Sequence, residues 1–132
     1  MLYEDYNLIT HQIINCAIEV HKVLGPGLME SVYEVCLLRE LESKELFVER
    51  QKILPVTYKG YQLNKEFIID HLIENEIILE LKSVEGILPV HEAQLLTYLK
   101  LSGKKLGLLI NFNVPILKDG VRRKINGNLK HK

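Results

Sequence analysis

Apolar residues recur at helical spacing at Ile9, Ile13, Cys16, Ala17, Val20 and Leu24, and Gly25-Pro26-Gly27 then stops the run, which predicts a helix over about 7–24. A second amphipathic stretch, 28–44, sets Val32, Tyr33, Cys36, Leu37 and Leu41 on one side, with Glu34, Arg39, Glu42 and Lys44 around the rest. The period then changes. Segments 46–58, 61–73 and 76–83 are rich in β-branched and aromatic residues, and Lys59-Gly60 and Glu74-Asn75 separate them. Both gaps are short enough for antiparallel hairpins, so a three-stranded meander is expected. Ile77 to Leu81 is apolar on both faces and should lie centrally. Pro89 to Leu101 returns to the helical period, Ser102-Gly103 closes it, and Leu106 to Ile110 reads as another buried strand. With a short final strand near 116–125, the order is α-α-β-β-β-α-β plus a C-terminal strand, an α/β (α+β) chain with a mixed sheet flanked by helices.

Asp70, Glu80 and Lys82 break this pattern. Glu80, Leu81 and Lys82 follow the run Ile77-Ile78-Leu79, and Asp70 stands on the preceding strand. Alternate strand residues share a face, so Glu80 and Lys82 project together, and Asp70 can come alongside them. An isolated charge costs several kcal/mol to bury, so charges on central strands need compensation. A divalent cation between the two carboxylates would supply it.

At 132 residues, the chain is about the length of one domain, nearly half apolar, and no second domain is expected within 1–132. No apolar stretch approaches the roughly 20 residues that span a bilayer, and Met1 to Asp5 lacks a basic signal-peptide start, so the cytoplasm is the expected location. Cys16 and Cys36 fall on apolar helical stripes with no CxxC, and read as buried free thiols.

The net charge of zero hides a division: residues 1–99 hold 8 Lys/Arg against 16 Asp/Glu, and residues 100–132 hold 9 against one. One reading is a solvated basic tail at about 121–132. The other is that Lys104, Lys105, Arg122, Arg123 and Lys124 face a polyanion, because phosphate contacts by Lys and Arg supply most non-specific nucleic-acid affinity.

Gln94 and Tyr98, four apart on the third helix, share a face, and Glu30 and Tyr33 form a comparable pair beside the Gly-Pro-Gly turn. Carboxylates with water favour Mg²⁺ or Mn²⁺ over zinc. Such an ion can activate water and neutralise charge on a phosphate, and an adjacent lysine can take the proton or stabilise the developing oxyanion. The plainer reading of Asp70 and Glu80 is a pair of exposed hairpin residues, each salt-bridged to a lysine. Histidines 11, 21, 71, 91 and 131 lack ligand spacing, though His71 and His91 could reach the rim of a site.

The order of these pieces resembles the PD-(D/E)XK, or restriction-endonuclease-like, nuclease superfamily, and within it the RecB-type pattern: Glu30, Asp70, Glu80-Leu81-Lys82 and Gln94 to Tyr98. More narrowly, Gly27-Leu28-Met29-Glu30-Ser31-Val32-Tyr33 is similar to the signature of the GxxExxY family, and the likeness runs from the first helix to Arg122-Arg123. The resemblance implies that Asp70, Glu80 and the Leu81 carbonyl bind the metal and that Glu30 binds or orients it through water. Lys82 would act on the nucleophilic water, with Gln94 and Tyr98 positioning Lys82 or substrate phosphate. Ile69 stands where this superfamily often has proline.

These readings lead to a Mg²⁺-dependent nuclease (Mn²⁺ as substitute) that hydrolyses phosphodiesters, DNA above all, by a metal-activated water. The alternatives are a catalytically silent binding or assembly module on the same fold, and a hydrolase of another phosphate ester. A homo-oligomer or protein partner is left open, and no membrane association is expected.

Overall fold

The computed structural model describes residues 1–130. Helices α1 (Tyr3–Leu24) and α2 (Glu30–Ser43) precede strands β1 (Val48–Tyr58), β2 (Tyr61–Ile73) and β3 (Ile77–Lys82). Helix α3 (Pro89–Ser102), strand β4 (Leu106–Asn111), a short 3-10 turn (Leu117–Gly120) and strand β5 (Val121–Ile125) complete the order. The five strands form one sheet in sequence order. Strands β1 to β3 are the expected antiparallel meander, β3 and β4 are parallel, and β5 is antiparallel to β4. A parallel neighbour needs a crossover, and α3 provides it.

The helices cover both faces. On one, α1 and α2 pack Ile13, Ala17, Tyr33, Leu37 and Leu41 against Ile77, Leu79, Leu81, Leu108 and Ile110. On the other, Leu95 and Leu99 of α3 meet Leu72, Ile78 and Leu109. Strands β3 and β4 are therefore buried on both sides, which explains their nearly continuous apolar sequence. Gly107 has a packing reason: a Cβ there would come within 2.7 Å of Leu95, so its absence lets α3 approach β4.

The C-terminal basic stretch is not a free tail as far as it is described. Residues Val121–Ile125 pair with β4, Leu129 packs on the core, and the Lys130 carbonyl accepts the Tyr3 amide at 2.6 Å. Residues 131 and 132, the end of the expected 121–132 tail and including His131, lie outside the described residues. Cys16 is buried and Cys36 half-buried, and both are free thiols. Among the described residues no helix is long and apolar enough to cross a membrane.

Candidate active site

The site forms where the β2/β3 ladder stops. The paired register is His71↔Leu79, Leu72↔Ile78 and Ile73↔Ile77, so one step further brings Asp70 opposite Glu80 with no pairing between them. On the other side of β2, Arg50↔His71 and Lys52↔Ile69 are paired, and Gln51, opposite Asp70, is skipped with a φ of 52°. Face alternation breaks at the same point, because Ile69 and Phe67 pack toward α3 together with Leu72. The register is unchanged across this gap, so it is a local kink of β1 and not an inserted residue, and it falls opposite the side chain at which the alternation breaks. That side chain is Asp70.

Glu80 is only 8% exposed and lies against the Asp70 carboxyl. Burial, reinforced by Asp70, pushes its pKa up to about 9, with Lys82 pulling the other way. Its Oε1 is buried without a hydrogen-bond partner, and neither carboxylate forms an ion pair among the described residues. The exposed, salt-bridged hairpin reading therefore does not describe this pair.

The other expected residues converge unevenly. Lys82, half-buried, follows Glu80 on the same face, and its charge reaches both Glu80 and Glu30. Glu30 opens α2, where burial raises its pKa, opposed by Lys82 and assisted by Asp70 and Glu34. From α3, Gln94 Nε2 donates to the Tyr98 hydroxyl at 2.9 Å, and the Tyr98 ring stacks on Phe67 at 5.1 Å. Burial, then the charges of Glu80 and Asp70, raise the Tyr98 pKa, so the Gln94/Tyr98 pair borders the carboxylates.

The five basic residues are not gathered. Arg122 and Lys124 pair with Leu109 and Gly107 and so lie on the α3 face, where Lys124 meets Glu92 at 2.9 Å and Arg122 donates to the Asp119 and Val121 carbonyls. Arg123 points to the opposite face, over the Tyr3 ring. Lys104 donates to the Asn75 carbonyl at 2.8 Å, and Lys105 lies beside Gly127.

Several supports escaped sequence reasoning. The buried Tyr33 hydroxyl donates to the Gly25 carbonyl at 2.6 Å and accepts the Leu28 amide at 3.1 Å, while its ring stacks on Phe112 at 4.5 Å. It clamps the Gly-Pro-Gly turn and fixes where α2 begins, hence where Glu30 stands. Asn111, 1% exposed, accepts the Val84 amide and donates to the Val84 carbonyl, both at 3.0 Å, holding the chain just beyond Lys82. Behind the site, Glu34 lies 2.7 Å from Arg50 and 2.9 Å from the buried His71 Nε2. That second contact is not a well-directed hydrogen bond. His71 Nδ1 faces the Leu79 carbonyl at 3.2 Å, so this side chain braces the sheet rather than lining the rim. His91 instead accepts the Leu88 amide at the start of α3. For Tyr33 the sequence held a signal in its spacing from Glu30 and its place beside the Gly-Pro-Gly turn, but none for the clamp it forms.

A family model of the PD-(D/E)XK nuclease superfamily matches residues 7–124, from within α1 to β5. The chain belongs to the PD-(D/E)XK nuclease superfamily. Its mixed sheet with helices on both faces is the restriction-endonuclease-like fold of that superfamily, and membership points to nuclease chemistry, for which these proteins typically use divalent metals. A solved structure, the crystal structure of SSO0001, is similar over 92% of this chain and 79% of that one, at 20% identity and a TM-score of 0.41. No curated protein matches the chain.

As a PD-(D/E)XK protein the chain can be tested for its cation. Among the described residues no three His, Cys, Asp or Glu side chains gather into a metal-binding set. The donors on offer are two carboxylates, Asp70 and Glu80, one with an oxygen lacking any partner. A hard divalent cation is commonly held by one or two carboxylates while keeping several waters, and this sparse oxygen set fits such an ion.

Proposed function

We propose that the chain is a metal-dependent nuclease of the RecB-type pattern and the GxxExxY family, a single domain over 1–132 that hydrolyses phosphodiesters of DNA in the cytoplasm. The observation that carries this is the buried Glu80 carboxyl pressed against Asp70 with one oxygen unpartnered, and Lys82 on the same strand face. Burying one carboxyl beside a second, half-buried one is unfavourable to their charged forms, and a bound cation would supply the neutralising charge.

Asp70 and Glu80, with the Leu81 carbonyl, would hold Mg²⁺, or Mn²⁺ in its place, and Glu30 would orient the ion through water. When bound, the ion supplies charge neutralisation and lowers the pKa of water. Lys82 takes the proton of the attacking water or stabilises the charge that develops on the phosphate. Gln94 orients the Tyr98 hydroxyl, and the pair positions Lys82 or the phosphate. Of the five basic residues expected to meet a polyanion, Arg122, on the α3 face with Glu80 and Lys82, adds attraction for it.

Incubation of a mixed panel of DNA and RNA with Mg²⁺ or Mn²⁺ tests the reading. DNA is cut, and Lys82→Ala lowers the rate by roughly 10²-fold or more, as for loss of a general acid–base group. Undiminished cleavage by Lys82→Ala refutes this mechanism.

A further inference from the structure

Strand β3 meets β2 only from His71 to Ile73, yet β2 begins at Tyr61 and pairs with β1 along its length. Residues 61–69, with their partners on β1, therefore form a two-stranded arm beyond the rest of the sheet, and residues 61–66 are all exposed. Its tip is a two-residue turn, Lys59-Gly60, with both φ values positive at 47° and 83°. Directly beside the turn, Tyr58 and Tyr61 are cross-strand partners and so share a face, 58% and 74% exposed. Lys59 Nζ stands 5.4 Å from the Tyr58 ring centroid. From Ile53 to Lys65 the arm has two lysines and no Asp or Glu, and neither lysine forms an ion pair among the described residues.

The geometry points to this arm as a contact for duplex nucleic acid, separate from the catalytic carboxylates and from the basic residues of β5. It rests on the nuclease reading and adds a surface to it. A two-stranded ribbon fits the major groove of a duplex. At the tip, residues 53–65, the charge is positive and unpaired, with Glu66 following nearer the sheet, and the exposed tyrosines provide flat surface beside the lysines. A second copy of the chain is the poorer occupant. Strand addition would use the free edge of β1, and that edge is interrupted by Pro55, which has no N–H, and by the kink at Gln51.

The arm is also in register with the chemistry, because Asp70 lies on the strand that carries Tyr61. Nine residues at about 3.3 Å each place the tip up to about 30 Å from Asp70, or about nine base pairs. A duplex shorter than that cannot touch both.

Fluorescence anisotropy in EDTA, where no cutting occurs, on duplexes of 8 and 24 base pairs tests the arm, with thermal melts to verify that the exposed substitutions leave folding intact. Wild type is expected to bind the longer duplex more tightly than its added sites explain. Lys59→Ala/Lys65→Ala should flatten the dependence of log affinity on log salt by up to about two, since each phosphate contact contributes roughly one. Tyr61→Ala should weaken the longer duplex about fivefold or more and barely affect the shorter. Unchanged affinity and slope in both variants, with wild type still binding, overturns the arm and leaves the nuclease reading standing. Absence of binding by wild type overturns both. Loss of self-association in Tyr61→Ala, with duplex binding unchanged, overturns the arm in favour of a protein contact.

Discussion

Glu80 is an acid whose folded environment favours its proton. Burial and Asp70 move its pKa from the ordinary 4.5 to about 9, so between those values the folded, metal-free protein holds a proton that the unfolded chain releases. The stabilising contribution is fully present below pH 4.5 and is lost as pH rises through about 9, with a slope of at most about 1.4 kcal/mol per pH unit. Glu80→Gln keeps the shape and removes the titration. Denaturant melts in EDTA from pH 5 to 9 should show wild type losing stability with pH and the variant losing much less. A divalent ion reverses the comparison, since it binds the ionised form: Mn²⁺ at 100 times its dissociation constant should stabilise wild type by about 2.7 kcal/mol and Glu80→Gln far less. Equal pH slopes in the two proteins, or no Mn²⁺ effect on wild type, would contradict the coupled carboxylate site.

Strand β1 is more than an edge for the sheet. Its Gln51 occupies the left-handed region, φ 52°, directly opposite Asp70, a conformation that a non-glycine residue adopts at a penalty of roughly 1–2 kcal/mol. The kink goes with the break in alternation that turns Asp70 toward Glu80. Gln51→Gly should be neutral or mildly stabilising, while Gln51→Val, β-branched and worse suited to positive φ, should destabilise by at least about 1 kcal/mol and lower cleavage by disturbing Asp70. Urea melts together with a cleavage assay measure both effects. If Val is tolerated without loss in either, the kink does not set the site.

Across the whole molecule, the division of charge along the chain does not become a division in space. Lys124 is engaged with Glu92, and Arg122 and Arg123 leave β5 on opposite faces. Glu80 and Lys82 share the α3 face with Arg122, since Ile78, two residues before Glu80, packs on Leu95 and Leu99. A duplex lying on that face meets Arg122 and not Arg123. Arg122→Ala should therefore flatten the salt dependence of nucleic-acid binding by about one, and Arg123→Ala should leave it unchanged. Equal effects from the two would mean that the backbone wraps around the β5 edge.

The succession of helices and strands was legible because each signal is local. Helical and alternating periods, the Gly-Pro-Gly stop, the Lys59-Gly60 and Glu74-Asn75 turns, and the doubly apolar Ile77 to Leu81 all act over a few residues, and backbone sterics with burial fix their outcome. The motif that resembles the family's also stood in the sequence, so Asp70, Glu80 and Lys82 could be proposed from it as site residues. What the sequence could not reveal depends on contacts between distant segments. Tyr33 became the clamp of its own turn only because Phe112, far along the chain, stacks on it. His71 turned inward because Glu34 and the Leu79 carbonyl face it. The kink at Gln51 has no local signature, since glutamine does not favour positive φ. The basic residues separated because strand alternation, once β5 had paired with β4, sends neighbours to opposite faces. Even the proposed cation site is a tertiary property: ten residues separate Asp70 from Glu80 in the chain, and only the ladder that ends between them brings the two carboxyls together.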